Sequence, residues 1–134
     1  MAGNCILIAE DEKHTRLALA LVLRQAGFSV LLADNGRDAL EKILAQNNKR
    51  TISLIITDFR MPRLDGLGLI DKLHEAGIII PVMVITGYGD NEMMQQLRNR
   101  GCLAYIDKPF IPEELLSQVT TALQQSAAPV GTAA

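Results

Sequence analysis

The feature that most constrains the fold of this chain is an apolar run that ends abruptly in a carboxylate. Residues 54–57 read Leu-Ile-Ile-Thr, and such a run of branched side chains is typical of a short strand buried inside a parallel sheet. Asp58 follows at once, and Pro62, which lacks an N–H and fixes φ, predicts that strand pairing has stopped. Asp58 is therefore expected at the carboxyl end of a buried strand, where ligands bind in open α/β sheets.

Strand-like and helix-like apolar patterns alternate along the whole chain. Short apolar runs predict strands, and apolar residues spaced three and four apart predict helices. The alternation predicts a single α/β domain with a doubly wound, five-stranded parallel sheet and five helices on its two faces, although the pattern leaves the strand order open. The second strand is less uniformly apolar, which indicates an edge strand. The predicted strands cover residues 5–9, 29–33, 54–58, 81–86 and 103–106.

Two of the predicted helices carry specific expectations. Asn91 is placed to cap the fourth helix, which runs to about Arg100 and is mostly polar. The first helix is expected to turn one apolar face to the sheet, formed by Leu17, Leu19, Leu21, Val22 and Leu23.

Length and charge narrow the classes of function. The 134 residues are enough for one domain with its own core. Thirteen Lys and Arg against 15 Asp and Glu leave a net charge of −2, which gives no sign of a nucleic-acid surface or of an electrostatic membrane patch. No apolar run approaches the length of a membrane span, and residues 1–4 lack the basic and apolar start of a signal peptide, so a cytoplasmic location is expected.

Polar residues follow the ends of four predicted strands. Glu10 and Asp11 come after the first strand, Asp58 ends the third, Thr86 ends the fourth, and Lys108 comes shortly after the fifth. Any one of them alone is more simply an ordinary polar loop residue. Because the carboxyl ends of parallel strands share one edge of the sheet, however, the whole set is expected to lie together.

The residue types in this set favour phosphoryl transfer. Three carboxylates at one edge repel one another unless a cation offsets the repulsion, and oxygen ligands with room for water suit Mg²⁺. A hydroxyl from Thr86 and an ammonium from Lys108 suit the oxygens of a phosphoryl group. A carboxylate can be the nucleophile that accepts this group, so the pattern predicts transfer to Asp58.

These residues resemble the motif set of response-regulator receiver domains. The resemblance covers residues 4–125 and leaves residues 126–134 as a flexible tail or a truncated linker. It implies a flavodoxin-like sheet with the strand order 2-1-3-4-5. The motifs that carry it are Glu10-Asp11, Asp58 with Met61-Pro62 and Asp65-Gly66, Thr86-Gly87, and Lys108-Pro109-Phe110.

The resemblance implies a phosphoacceptor site with a metal ion. Asp58 would accept a phosphoryl group from a phosphohistidine on a sensor histidine kinase or a phosphotransfer protein. Mg²⁺ would be surrounded by the carboxylates of Glu10, Asp11 and Asp58 and by the backbone carbonyl of Arg60. A cis peptide between Lys108 and Pro109 is also expected, since a cis bond before proline is sterically affordable.

The resemblance also implies a conformational switch. Lys108 and Thr86 would hold phosphate oxygens, and Tyr105 would be the rotameric partner of Thr86. The change would reach an output domain or a separate protein through the face formed by the fourth strand, the fourth helix and the fifth strand. It allows a phosphorylation-dependent homodimer, and neither nucleic-acid nor membrane binding is expected of this domain. The chain is thus expected to be a signalling switch rather than an enzyme with a separate substrate.

Two other functions use a similar fold or similar residues. A Mg²⁺-dependent phosphatase of the haloacid-dehalogenase type also has an aspartate nucleophile, but it needs a second aspartate two positions later, where this chain has Arg60. A flavin carrier needs a loop rich in Ser, Thr and Gly after the first strand, whereas Glu10 and Asp11 would repel the flavin phosphate.

Overall fold

A computed structural model describes residues 4–45, 52–87, 89–102 and 104–127 of the chain. Leu103, where the fifth strand was expected to start, and residues 128–134 of the expected tail lie outside this described part. The last helix extends through residues 126 and 127.

Five parallel strands form one sheet in the order β2-β1-β3-β4-β5. The expected α/β fold and its strand order are therefore confirmed, and β2 is an edge strand as its weaker apolar pattern indicated. The strands are β1 Cys5–Ala9, β2 Ser29–Ala33, β3 Ile52–Asp58, β4 Val82–Thr86 and β5 Ala104–Asp107.

A helix follows each strand. These helices are α1 Lys13–Gln25, α2 Gly36–Ala45, α3 Gly66–Glu75, α4 Asn91–Asn99 and α5 Pro112–Ala127. Pro112 is the first residue of α5, where its fixed φ and missing N–H are tolerated.

The sheet lies between two apolar layers because alternate side chains of a strand point to opposite faces. Ile6 and Ile8 of β1 pack on the face covered by α1 and α5. Leu7 between them packs on the opposite face, which α2 and α3 cover. A third cluster joins α4 to α3 and β4 through Met93 and Leu97. Burial on both faces makes β1 and β3 the rigid centre that supports the carboxyl edge.

The prediction that α1 turns one apolar face to the sheet is wrong at two positions. Leu19 and Leu23 are fully buried, but Leu17 is 46% exposed and Leu21 is 58% exposed. Two residues along a helix correspond to a rotation of roughly 200°, so Leu17 and Leu21 lie on the side opposite to Leu19. The chain therefore presents leucines to solvent on α1.

The expected cap of α4 is also wrong. Asp90, not Asn91, is the N-cap, and its side chain accepts a hydrogen bond from the backbone N–H of Met93 at 2.8 Å. Asn91 is the first residue of the helix itself. Both residue types suit an N-cap, so the local sequence alone did not distinguish them.

Candidate functional site

The strand order brings the predicted polar residues to one edge of the sheet. Glu10 directly follows β1, Asp58 is the last residue of β3, Thr86 is the last residue of β4, and Lys108 directly follows β5. Since β3 lies between β1 and β4, Asp58 stands at the centre of this edge.

Lys108 joins two of the carboxylates. Its Nζ lies 2.8 Å from Oδ2 of Asp58 and 3.0 Å from Oε1 of Glu10. Burial alone would lower the pKa of Lys108, but its hydrogen bond to Asp58 and its ion pair with Glu10 outweigh burial and raise the pKa. The lysine is therefore a fixed positive charge beside the central aspartate.

Glu10 is a carboxylic acid held entirely out of solvent. Its exposed fraction is 0%, and burial is the largest cause that raises its pKa to about 7. The backbone N–H of Glu12 donates a 3.0 Å hydrogen bond to Oε2 of Glu10. Oε1 makes the ion pair with Lys108 but no hydrogen bond of good geometry, so we interpret that contact as charge attraction and Oε1 as an acceptor with spare capacity.

The acidic residues are arranged as a divalent cation would require. One carboxylate oxygen from each of Glu10, Asp11 and Asp58 lies within 4.8 Å of the others. Asp11 is exposed while the other two are buried, so the cluster opens to water on one side. Mg²⁺ is bound through a few carboxylates and keeps several waters, so this donor set fits it.

The loop after β3 shapes the surroundings of Asp58. A Cβ on Gly66 would come within 2.7 Å of the carbonyl oxygen of Asp58, so this approach of loop to strand requires glycine. The N–H of Gly66 donates to the carbonyl of Phe59 at 2.8 Å, which closes the loop. The N–H of Arg60 lies 3.4 Å from Oδ1 of Asp58. Asp65 caps α3 by accepting from the N–H of Gly68 at 2.8 Å.

Backbone contacts join the ends of β4 and β5. Thr86 is buried, and its carbonyl accepts a 2.8 Å hydrogen bond from the backbone N–H of Lys108. The Lys108–Pro109 peptide is cis, as the resemblance implied.

Tyr105 of β5 is hydrogen-bonded within its own strand: its hydroxyl donates to Oδ1 of Asp107 at 2.6 Å. The hydrogen bond to Asp107 is the main cause that raises the pKa of Tyr105.

Sequence reasoning missed two residues that support the site. Arg16 of α1 donates from Nη1 to the carbonyl of Glu10 at 2.9 Å. Glu12 caps α1 by accepting from the N–H of Thr15 at 2.7 Å, which lowers the pKa of Glu12 to about 2. Glutamate is not a preferred N-cap, and an arginine on a helix carries no signal of its target, so neither role was visible in the sequence.

Comparison with known proteins decides the family. A family model described as "Response regulator receiver domain" matches residues 6–120, which is most of the chain. The chain belongs to the response regulator receiver family. As a receiver domain it is a signalling switch of two-component systems, as the motifs indicated.

Relatives and solved structures agree with this assignment. The receiver domain is 34% identical over 123 residues to the C4-dicarboxylate transport transcriptional regulatory protein DctD of Pseudomonas aeruginosa, covering 92% of this chain and 26% of that protein. It is 33% identical over 121 residues to the transcriptional regulatory protein PdtaR of Mycobacterium tuberculosis, covering 90% of this chain and 57% of that protein. The chain thus spans about a quarter to just over half of the length of these relatives.

Solved structures share the fold over nearly the whole chain. FixJ-N aligns with a TM-score of 0.81 at 29% identity, covering 96% of this chain and 100% of that one. The Vibrio cholerae chemotaxis protein CheY4 aligns with a TM-score of 0.82 at 26% identity, covering 90% and 99%. Among the described residues, no helix of the receiver domain is long and apolar enough to cross a membrane. These findings give no support to the phosphatase or the flavin carrier.

Proposed function

We propose that this receiver domain accepts a phosphoryl group on Asp58 in a Mg²⁺-dependent reaction. The observation that carries the proposal is the position of Asp58 at the centre of the carboxyl edge. One of its oxygens lies 2.8 Å from the Lys108 ammonium, and two further carboxylates stand beside it. The phosphodonor is a histidine kinase or a phosphotransfer protein that carries a phosphohistidine.

The reaction is a displacement at phosphorus. A carboxylate oxygen of Asp58 forms a new bond to phosphorus while the bond between phosphorus and the histidine nitrogen breaks, and the imidazole leaves with the electron pair. Lys108 balances the negative charge of the transferred group, and the Thr86 hydroxyl donates to one of its oxygens. Hydrolysis returns the switch to its resting state: a water oxygen forms a bond to phosphorus, the bond between phosphorus and the Asp58 oxygen breaks, and inorganic phosphate leaves.

Glu10, Asp11 and Asp58, together with the backbone carbonyl of Arg60, would hold Mg²⁺. When bound, the ion neutralises charge that develops on the phosphoryl oxygens. Glu10 contributes a buried oxygen that lacks a well-aligned hydrogen bond, and Asp11 contributes an exposed one. The fourth ligand, the Arg60 carbonyl, rests on the resemblance alone.

The output would travel through Thr86 and Tyr105. A hydroxyl drawn toward the phosphoryl group leaves room behind Thr86, and Tyr105 turns inward to fill it. The β4-α4-β5 face then changes shape and contacts an output domain or a separate protein. A domain extent of 4–125, a cytoplasmic location, a phosphorylation-dependent homodimer and the absence of nucleic-acid binding by this domain stay predictions.

A groove beside the site offers a path for the phosphodonor. It has a volume of about 670 Å³ and runs between α1 and the segment that follows β5. Leu21 and Val22 line one wall, and Pro109 and Phe110 line the other. Lys108 also lines the groove, and its Nζ contacts Asp58, so the groove lies beside a residue that touches the acceptor. We propose that an apolar surface of the histidine-bearing protein docks here.

Removal of the acceptor tests the proposed function. Asp58→Asn should abolish acid-stable, base-labile phosphate incorporation from acetyl phosphate, because an amide is not a nucleophile toward phosphorus. Mass spectrometry of the intact protein and of its peptides measures this incorporation and locates it. Wild-type protein in EDTA should also show none.

The matched control is Asp34→Asn, which makes the same change at an exposed aspartate directly after β2. This variant should incorporate phosphate as the wild type does. A phosphate on another residue of Asp58→Asn at wild-type yield would refute the acceptor assignment, and full incorporation in EDTA would refute the metal requirement.

A further inference from the structure

The hydroxyl of Tyr105 is held by a residue on its own strand. Tyr105 and Asp107 are two positions apart on β5, so their side chains leave the same face of the sheet. The phenol donates to Oδ1 of Asp107 at 2.6 Å, which is a short, charge-assisted hydrogen bond. The raised pKa of Tyr105 has this bond as its main cause and agrees with the same geometry.

Gly89 makes room for the same ring. A Cβ on Gly89 would overlap the Tyr105 hydroxyl and lie 3.0 and 3.1 Å from two ring carbons. The φ of Gly89 is not in the left-handed region, so its backbone does not require glycine. Glycine at position 89 therefore leaves the space that the Tyr105 ring occupies. We call this place of the ring, beside Gly89 and Asp107, the outward position.

We propose that Asp107 and Gly89 are positioning residues that hold Tyr105 in the outward position and thereby set the resting population of the switch. This inference rests on the proposed function of Asp58 and Thr86. To turn inward, the ring must give up the carboxylate of Asp107. Both contacts favour the resting conformation, and the family resemblance assigned neither residue a role.

The outward position also couples Tyr105 to the start of α4. Asp90, the N-cap of this helix, directly follows Gly89. While the ring packs against Gly89, it restricts the movement of Gly89 and of the N-cap Asp90. When the ring turns inward, that packing contact is lost. The state of Tyr105 is therefore transmitted to α4 at its first turn.

The first experiment measures the hydrogen bond itself. The chain has two tyrosines and no tryptophan, so Tyr88→Phe leaves Tyr105 as the one phenol in the protein. In that background, Asp107→Asn should lower the pKa of Tyr105 toward its ordinary value, read from phenolate absorbance. Asp34→Asn, which removes a charge elsewhere at the same sheet edge, should not. Equal titration curves for the Asp107 and Asp34 variants would overturn the inference.

The second experiment measures the switch. Beryllofluoride, a phosphoryl mimic, should bind Asp107→Asn about tenfold more tightly than wild type, because a hydrogen bond to a charged group no longer favours the outward position. Gly89→Ala should act in the same direction by crowding the outward ring. In a Tyr105→Phe background, Asp107→Asn should have no more effect than Asp34→Asn, since the hydroxyl is gone.

The two experiments separate failure of this inference from failure of the proposed function. If beryllofluoride binds wild type and Asp107→Asn equally, or if the effect of Asp107→Asn persists without the Tyr105 hydroxyl, the positioning role is wrong. If beryllofluoride does not bind wild type at all, the acceptor proposal is wrong, and the Tyr105 titration still reports whether Asp107 holds the phenol.

Discussion

Glu10 shows how one buried group can link the metal site to stability. It has no exposed surface, and its pKa is raised to about 7, mainly by burial. Lys108 offsets only part of this effect from 3.0 Å away. Burial makes the Glu10 carboxyl costly to ionise without a metal, and a bound divalent cation would lower that cost. Protons and Mg²⁺ should therefore compete for Glu10.

The apo protein should therefore lose stability as the pH rises from about 4.5 to about 7. Below that range Glu10 is protonated in both folded and unfolded chains. Within it the unfolded chain gives up the proton while the folded protein keeps it, which favours unfolding. The loss should be on the order of 3 kcal/mol, at about 1.4 kcal/mol for each of the roughly 2.5 pKa units. Urea unfolding in EDTA across this pH range measures it.

Glu10→Gln is the control because its amide does not titrate. Its unfolding free energy should lack the downward slope that wild type shows between pH 4.5 and 7. Added Mg²⁺ should stabilise the wild type increasingly as the pH rises and should have little effect on the variant. Parallel curves for the two proteins in EDTA would mean that Glu10 does not ionise as described.

Helix α1 carries both the support of the site and a candidate docking surface. Its buried side packs Leu19 and Leu23 onto the sheet, while Arg16 holds the carbonyl of Glu10. Its opposite side exposes Leu17 and Leu21, and Leu21 lines the groove that Lys108 also lines. An exposed leucine in an apolar groove is typical of a surface that binds another protein.

Leu21→Asp should slow phosphoryl transfer from a histidine-bearing donor by at least about tenfold, since a buried charge at the centre of an apolar contact opposes binding. Transfer from acetyl phosphate should be unchanged, because that small donor needs no docking surface. Rates of phosphorylated-protein formation with the two donors measure the difference.

Ile79→Asp is a matched control for this change. Ile79 is 94% exposed and precedes β4, so it lies near the amino edge of the sheet, far from Asp58. It should leave both donors unaffected. Equal slowing by Leu21→Asp with both donors would indicate damage to the phosphoacceptor site itself. No slowing with either donor would show that the histidine-bearing protein does not dock in the groove.

Helix α4 is attached differently at its two ends. Among its residues only Met93 and Leu97 are buried, so its hold on the sheet is narrow. Its C-terminal end is tied to α3 by a two-pronged contact in which Nε and Nη2 of Arg100 lie 2.8 and 3.2 Å from the two carboxylate oxygens of Asp71. Movement is therefore expected mainly at its first turns, near Tyr105.

The domain as a whole is expected to convert charge at Asp58 into motion at the β4-α4-β5 face. A phosphoryl group adds about −1.5 to −2 charges and new acceptor oxygens at the centre of the carboxyl edge. The sheet is buried on both faces and resists deformation, so the response should appear in α4, where the buried area is small. A coupling of roughly 1–3 kcal/mol would be enough to change the populations usefully.

Thr86→Ala tests this coupling. The variant should still accept phosphate on Asp58, because the nucleophile and Lys108 remain. The response of α4 should weaken, because the Thr86 hydroxyl that links the phosphoryl group to α4 is gone. Hydrogen exchange with and without beryllofluoride, followed in residues 91–100 and around Tyr105, measures the response.

Thr86→Ser, which keeps the hydroxyl, is the control and should respond as the wild type does. If the alanine variant takes up beryllofluoride and α4 responds as in the wild type, Thr86 is not the coupling residue.

The local sequence pattern was enough to predict the helices, the strands and the edge of the sheet that carries the candidate site. Branched apolar runs predicted β1 and β3, and the polar residues that end the strands predicted which side of the sheet would carry chemistry. These signals are local because strand and helix periodicity depends only on neighbouring residues. With parallel strands, local order also implies that Glu10, Asp58 and Thr86 share one edge, so the amino-acid sequence by itself determines where the candidate site lies.

Contacts between distant residues were decided by the tertiary structure alone. Lys108 and Asp58 are 50 positions apart in the sequence, and only the packed sheet shows that one ammonium reaches both Asp58 and Glu10. The same holds for the exposed side of α1 at Leu21 and for the overlap between Gly89 and the Tyr105 ring. No periodicity reports these features, because each depends on which surfaces the folded chain brings together and which of them it leaves open to water.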